Sequence, residues 1–224
     1  MAEVIVALDQ PTAREALALV DRLPGLRWAK VGATVFVREG PGIVGALRDR
    51  GVEVFLDLKW HDIPSQVAGA SAAAAALDIR LATVHALGGL DMMRAAKEAA
   101  GTLRVVAVTV LTSHGPDELG RIFGREAGPA REAIRLAGVV RDAGLDGVVT
   151  SPLEAAAARA ALGPDAWIVV PGIRAAGAAA HDQRRTAGAR DAVAAGATHL
   201  VVGRPISGAS DPRAVYERLC EEAA

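Results

Sequence analysis

Two carboxylates flank an ammonium in the segment Asp57-Leu58-Lys59-Trp60-His61-Asp62-Ile63-Pro64, which directly follows the apolar residues 52–56. The two-residue alternation of a strand puts Asp57 and Lys59 on one side. If that side faces an interior, each ion needs an opposite partner, because an unpaired buried charge is costly. Lys30, which ends an earlier apolar run, is a suitable further cation. Carboxylates and ammoniums in alternation hold one another in their charged forms. A charged lysine between carboxylates can donate a proton to a carbon that becomes electron-rich, while its charge stabilises the developing anion. This is the chemistry of a decarboxylase or a proton-transfer enzyme. The plainer reading of the same residues is an ion-pair network closing one end of a barrel.

Two further segments, Pro171-Gly172-Ile173-Arg174 and Val202-Gly203-Arg204-Pro205, each end an apolar run. Glycine lets a backbone approach a phosphate, and arginine offers a bidentate fork. Either segment alone is more often a turn with a solvated charge; both together on adjacent strands point to phosphate. Asp9, before Gln10-Pro11, is either an acceptor for sugar hydroxyls or an ordinary helix-start residue. His61, His85, His114, His181 and His199 show no metal-ligand spacing, which speaks against a histidine metal site. His61 and His85 are expected to line the pocket, and Trp60 to pack.

Elements that would position these groups follow from the alternation of short β-branched runs with longer Ala/Leu/Arg/Glu stretches. Strands are expected over residues 4–8, 28–31, 52–58, 81–85, 105–111, 147–150, 167–170 and 199–202. Helices are expected over 12–21, 41–50, 65–77, 90–100, 130–143, 153–162, 188–195 and 212–222, with Thr12, Ser65, Ser151 and Asp211 as starts. The fold class is therefore α/β, a single (β/α)8 TIM barrel over residues 1–224. An open doubly wound sheet would share the local periodicity. The polar residues favour the barrel, because Asp9, Lys30, Asp57, Lys59, His85, Thr112, Gly172 and Gly203 fall at the C-terminal ends of the strands, which converge in a barrel. The long connections 113–129 and 175–190 are candidate lids.

The chain has 224 residues, 51% of them hydrophobic and 23% charged, enough to bury a core and to exclude wholesale disorder. Its 25 basic and 26 acidic residues leave a net charge of -1, which supplies no global field for nucleic acid or an anionic membrane. Any anion site must be local. The one cysteine, Cys220, cannot form an internal disulfide. The N-terminal residues lack signal-peptide character, and a cytoplasmic location is expected.

Taken together, Leu8-Asp9, Lys30-Val31-Gly32, the segment 57–64, Thr83-Val84-His85-Ala86, Leu111-Thr112-Ser113, Pro171-Gly172-Ile173-Arg174, Asp182-Gln183 and Val202-Gly203-Arg204-Pro205-Ile206 resemble the orotidine 5'-phosphate decarboxylase family almost end to end. That family makes uridine monophosphate in pyrimidine biosynthesis. The resemblance implies that Lys59 is the proton donor, with Asp57 and Lys30 completing its charge network beside the scissile carboxylate. It implies a homodimer in which Asp62 enters from the partner subunit and the region after Lys59, including Ile63 and Gln66, contributes to the neighbour's ribose pocket. Asp9 and Lys30 would bind ribose hydroxyls, Thr112 and Ser113 the pyrimidine edge, and Gln183, Gly203 and Arg204 the phosphate, with Arg174 close by. No metal or organic cofactor is implied. Gln66 departs from the family's usual threonine two residues after the proline, yet still offers a donor and an acceptor.

Two rivals remain open from sequence. Magnesium-dependent sugar-phosphate decarboxylases and aldolases of the same superfamily share Asp-x-Lys-x-x-Asp, but here Ile63-Pro64 follows the second aspartate. A non-catalytic phosphate-binding barrel would not need the set Lys30, Asp57, Lys59 and Asp62.

Overall fold

The computed structural model describes residues 2–173 and 186–224. Eight strands, β1 (Glu3–Leu8), β2 (Trp28–Gly32), β3 (Glu53–Trp60), β4 (Leu81–His85), β5 (Arg104–Val108), β6 (Gly147–Val149), β7 (Trp167–Pro171) and β8 (His199–Val202), pair in parallel and in sequence order. The β1–β8 pairing, with Ile5 opposite Val201, closes the barrel. Most strand residues are buried, inward-facing and outward-facing alike, which is why the strands read as nearly continuous apolar runs.

The two-residue period sorts the strand side chains into two cores. Ile5, Trp28, Phe55, Leu81, Val106 and Val169 fill the inside of the barrel. Val4, Val6, Leu8, Val54 and Leu56 point outward and meet the helices. At the N-terminal end, Trp167 stacks on His199 with ring centres 4.3 Å apart and meets the edge of Trp28 at 6.1 Å. Gly147 permits this floor, since a Cβ there would run into the backbone of Trp167.

Helices α1 (Ala13–Val20), α2 (Ala33–Glu39), α3 (Gly42–Arg48), α4 (Pro64–Ala76), α5 (Gly89–Ala99), α6 (Pro116–Phe123), α7 (Pro129–Asp142), α8 (Ala155–Leu162), α9 (Ala189–Ala194), α10 (Arg204–Ser207) and α11 (Pro212–Ala223) surround the barrel. Thr12 and Asp211 cap α1 and α11 by accepting the N–H groups of Glu15 and Ala214, each cap contributing ~1 kcal/mol. Ser151 caps a short 3-10 turn ahead of α8. Ser65 is not a helix start. The extended backbone of Ile63 before proline and the fit of Pro64 at the first helical position begin α4 earlier.

The expected strand 105–111 ends at Val108, although Thr109 still donates its N–H to the Val149 carbonyl. The connection 113–129 is not an open loop: it contains α6, which begins with Pro116 and buries Leu119. Helices α2 and α10 also lie where no helix was expected. Among the described residues, no helix is long and apolar enough to cross a membrane.

Candidate active site

A cavity of about 630 Å³ opens at the C-terminal ends of the strands, within the ~300 to 1,000 Å³ of small-molecule sites. One charged wall is made by Asp9, just past the end of β1, Lys30 from β2, and Asp57 and Lys59 from β3. Lys59 Nζ donates to Asp57 Oδ2 at 2.8 Å; Lys30 Nζ lies 3.6 Å from the same oxygen and 3.2 Å from Asp9 Oδ1. The four groups thus form one alternating chain. Asp57 and Lys30 are largely enclosed, with side chains 11% and 12% exposed, while Lys59 is 38% exposed toward the opening. Burial pushes the Asp57 carboxyl up, but the charges of Lys30 and Lys59 and hydrogen bonds from Lys59 and Thr83 outweigh it, leaving the acid below its ordinary range. Asp57 is therefore ionised at neutral pH.

Alternation holds along this stretch: Phe55, Asp57 and Lys59 line the cavity, while Leu56, Leu58 and Trp60 pack against the outer core. The Lys59 φ of 53° is left-handed, a region that costs a non-glycine residue ~1 to 3 kcal/mol. Between Leu56 and Trp60 the chain takes four residue steps on β3 against two on β4, where their partners are Ala82 and Val84. This bulge sets the local backbone from which the lysine projects, and bulges are common beside functional sites. The alternation expected from sequence puts both side chains at one cavity, and the bulge is a further feature that the sequence did not announce. Thr83, to which sequence reasoning gave no role, spans the bulge: its Oγ1 accepts the Lys59 N–H at 2.9 Å and donates to Asp57 Oδ1 at 3.0 Å.

Thr112, Gly203 and Arg204 line the same cavity. Gln10 lines it too, and its Oε1 is buried with no partner among the described residues. The sequence placed Gln10 beside Asp9 but gave no reason to separate it from a turn. Ser113 is not among the residues that line this cavity. Gly172 does not line it either; its φ of 84° turns the chain at the end of β7. Arg174 and Gln183 lie outside the described residues.

Asp62, Ile63 and Gln66 are exposed and stand outside this chain's own cavity. Asp62 Oδ1 accepts the N–H of Ile63 at 2.7 Å, and the Ile63 residue is 61% exposed. His61 and His85 do not line the main cavity as expected. They stack on each other at 5.6 Å, and His85 instead borders a small void of about 30 Å³ beside α6, with His114. Burial, helped by the charges of His61, His114 and Lys59, pushes His85 down to about 4, so it is neutral at neutral pH. Trp60 packs against the outer core, as expected. Among the described residues, no group of three or more His, Cys, Asp or Glu side chains is arranged to hold a metal ion.

The model of the family described as orotidine 5'-phosphate decarboxylase / HUMPS matches residues 2–219. Orotidine 5'-phosphate decarboxylase of Alkalilimnicola ehrlichii is 53% identical over 99% of this chain and 96% of its own length. That of Halorhodospira halophila is 52% identical over 99% and 95%. The crystal structure of orotidine 5'-phosphate decarboxylase from Lactobacillus acidophilus superposes with a TM-score of 0.88 at 36% identity, covering 100% of this chain and 99% of that one.

Proposed function

The chain belongs to the orotidine 5'-phosphate decarboxylase / HUMPS family, and on that premise we propose that it converts orotidine 5'-phosphate to uridine 5'-phosphate and CO2, the last step of de novo UMP synthesis. One observation carries the reading: Lys59 Nζ, 2.8 Å from an ionised Asp57, faces a cavity that also reaches Gly203 and Arg204. In this reading the substrate's carboxylate lies beside Asp57. As the carbon–carboxylate bond breaks, its electron pair stays on the ring carbon and CO2 leaves. The Lys59 ammonium stabilises that anion and donates its proton to the same carbon. Asp57 pairs with the Lys59 ammonium and Lys30 with Asp57, and Asp9 with Lys30 accepts and donates to ribose hydroxyls. Thr112 serves the pyrimidine edge. Gly203 and Arg204, with Gln183 and Arg174, serve the phosphate, whose binding energy can be spent at the distant reacting carbon.

The reaction is read as metal-free, because two ammoniums already supply the positive charge that a carbanion needs. The active unit is read as a homodimer. Asp62, Ile63 and Gln66 follow the catalytic lysine directly yet face outward, as residues completing a neighbour's site would. Mixing Lys59→Ala with Asp62→Ala subunits should regain activity in heterodimers, which carry one intact composite site; verified subunit exchange without recovery would argue against sharing.

The purified protein with orotidine 5'-phosphate and a chelator should lose the orotate absorbance and release CO2. Absent turnover would sink the decarboxylase reading. Turnover abolished by the chelator and restored by magnesium would favour the metal-dependent relatives.

A further inference from the structure

A strand bulge from which a catalytic lysine projects must be held, because nothing in the lysine's own preferences favours it. Lys59 sits in the left-handed region, and the shifted register between β3 and β4 interrupts the ladder at this point. Thr83 fills the gap. It is fully buried, lies outside the cavity wall, and presents one hydroxyl to two residues of the charge network. A hydroxyl has one hydrogen and two lone pairs. Here the hydrogen goes to Asp57 Oδ1 and a lone pair receives the Lys59 backbone N–H, so both roles are used at once. Threonine is β-branched and stiff at its first side-chain torsion, so the hydroxyl is held by packing and does not rotate freely.

We propose that Thr83 is a positioning residue for the decarboxylation, locking the backbone of Lys59 and the carboxylate of Asp57 into one arrangement so that the ammonium meets the reacting carbon. It touches neither substrate nor cavity and acts only through its two neighbours. The inference rests on the decarboxylase reading above, in which Lys59 is the proton donor. Loosening the bulge would leave the pocket's phosphate and ribose groups in place while the ammonium strays from its target. Small misplacement of a reacting group is expensive in rate and cheap in ground-state binding.

The test compares wild type with Thr83→Val, Thr83→Ala and Thr83→Ser, measuring kcat, KM, affinity for uridine 5'-phosphate and thermal midpoint. Valine keeps the shape and removes the hydroxyl. Serine and alanine both remove the γ-methyl and differ from each other only in the hydroxyl, so their comparison stands even if the valine variant fails to fold. Valine and alanine should lose ~10- to 100-fold in kcat, the range for hydrogen bonds to charged groups, with KM and product affinity within ~3-fold of wild type. Serine should stay within ~3-fold in kcat. The proposal is overturned if alanine matches serine in kcat, or if kcat and product affinity fall together in step with the thermal midpoint. A wild type that turns over no orotidine 5'-phosphate overturns the decarboxylase reading, and this inference with it. An active wild type with an equally active Thr83→Ala overturns the inference alone.

Discussion

The barrel holds a buried aspartate at each end, and the two differ in what surrounds their partners. At the N-terminal end, Asp146 accepts from Lys97 Nζ at 2.6 Å, Arg104 Nη1 at 2.7 Å and the Val105 N–H at 2.8 Å. At the C-terminal end, Asp57 accepts from Lys59 Nζ at 2.8 Å and Thr83 Oγ1 at 3.0 Å, with Lys30 Nζ at 3.6 Å. Burial pushes both acids up, and cations with hydrogen bonds bring both below their ordinary range. Their local electrostatics are therefore alike. What separates them is geometry. The Asp146 side chain is sealed at 6% exposure, and its two cations lie on the outer surface. The cations of Asp57 face a cavity of about 630 Å³, and one of them hangs from a left-handed backbone. A buried ion network becomes reactive when its charges are aimed at empty space that a substrate can enter.

The largest expected effect breaks the reactive end alone. Lys59→Ala should lower kcat by more than ~10⁴, since a general acid supplies ~10² to 10⁴ and electrostatic stabilisation ~10² to 10³. The folded state should survive, because Lys59 is partly exposed. A variant that keeps a tenth of the wild-type rate would show that the lysine is no more reactive than its counterparts at the floor.

Next comes the converse substitution. Asp146→Asn should cost ~2 to 4 kcal/mol of stability by urea unfolding, through loss of charged hydrogen bonds at a buried site. Its kcat at a temperature where it is folded should equal wild type. Asp57→Asn should reverse the pattern, with kcat lost and affinity for uridine 5'-phosphate little altered. Equal loss of activity from both asparagine variants would erase the distinction between the two ends.

A smaller effect is expected at the remote edge of the cavity. Arg204→Ala should reduce kcat/KM by ~1.5 to 3 kcal/mol for the natural substrate, and almost nothing for a substrate lacking phosphate. If both substrates suffer equally, Arg204 supports the barrel and does not grip phosphate.

The last effect belongs to the floor, changes no catalytic rate and is read in pH. Burial pushes His199 from 6.5 down to about 4. The unfolded chain therefore takes up a proton that the folded chain refuses, so stability present above pH 6.5 is lost as the pH falls toward about 4. His199→Gln should flatten this slope by up to ~1.4 kcal/mol per pH unit, and the pH dependence of stability measures it. An unchanged slope would assign the acid sensitivity to other groups, His85 among them.

The strands 81–85 and 199–202 were legible residue for residue, because an apolar β-branched run between turn residues leaves little else for the chain to do. The helices α2 and α6 were missed for different reasons. Helix α2 follows its strand at Gly32 with no capping side chain. Helix α6 carries Pro116, two acids in its first turn and Gly124 in the left-handed region, signals that were present but lay inside a stretch read as a long connection.

At the site, sequence alone determined which residue types meet at the barrel mouth, since strand periodicity and parallel pairing bring every strand's C-terminal end to one place. Asp9, Lys30, Asp57, Lys59, Thr112, Gly203 and Arg204 follow from that rule. Tertiary structure decided how they are aimed. The left-handed turn at Lys59 is set by a register shift against β4, and its bonds to Thr83 join residues 24 positions apart. The stacking of His61 on His85, away from the cavity, joins residues on different elements in the same way. Local sequence carries the propensities of each segment, whereas the direction of a side chain at a bulge depends on which strand lies beside it, and that neighbour exists only once the barrel has closed.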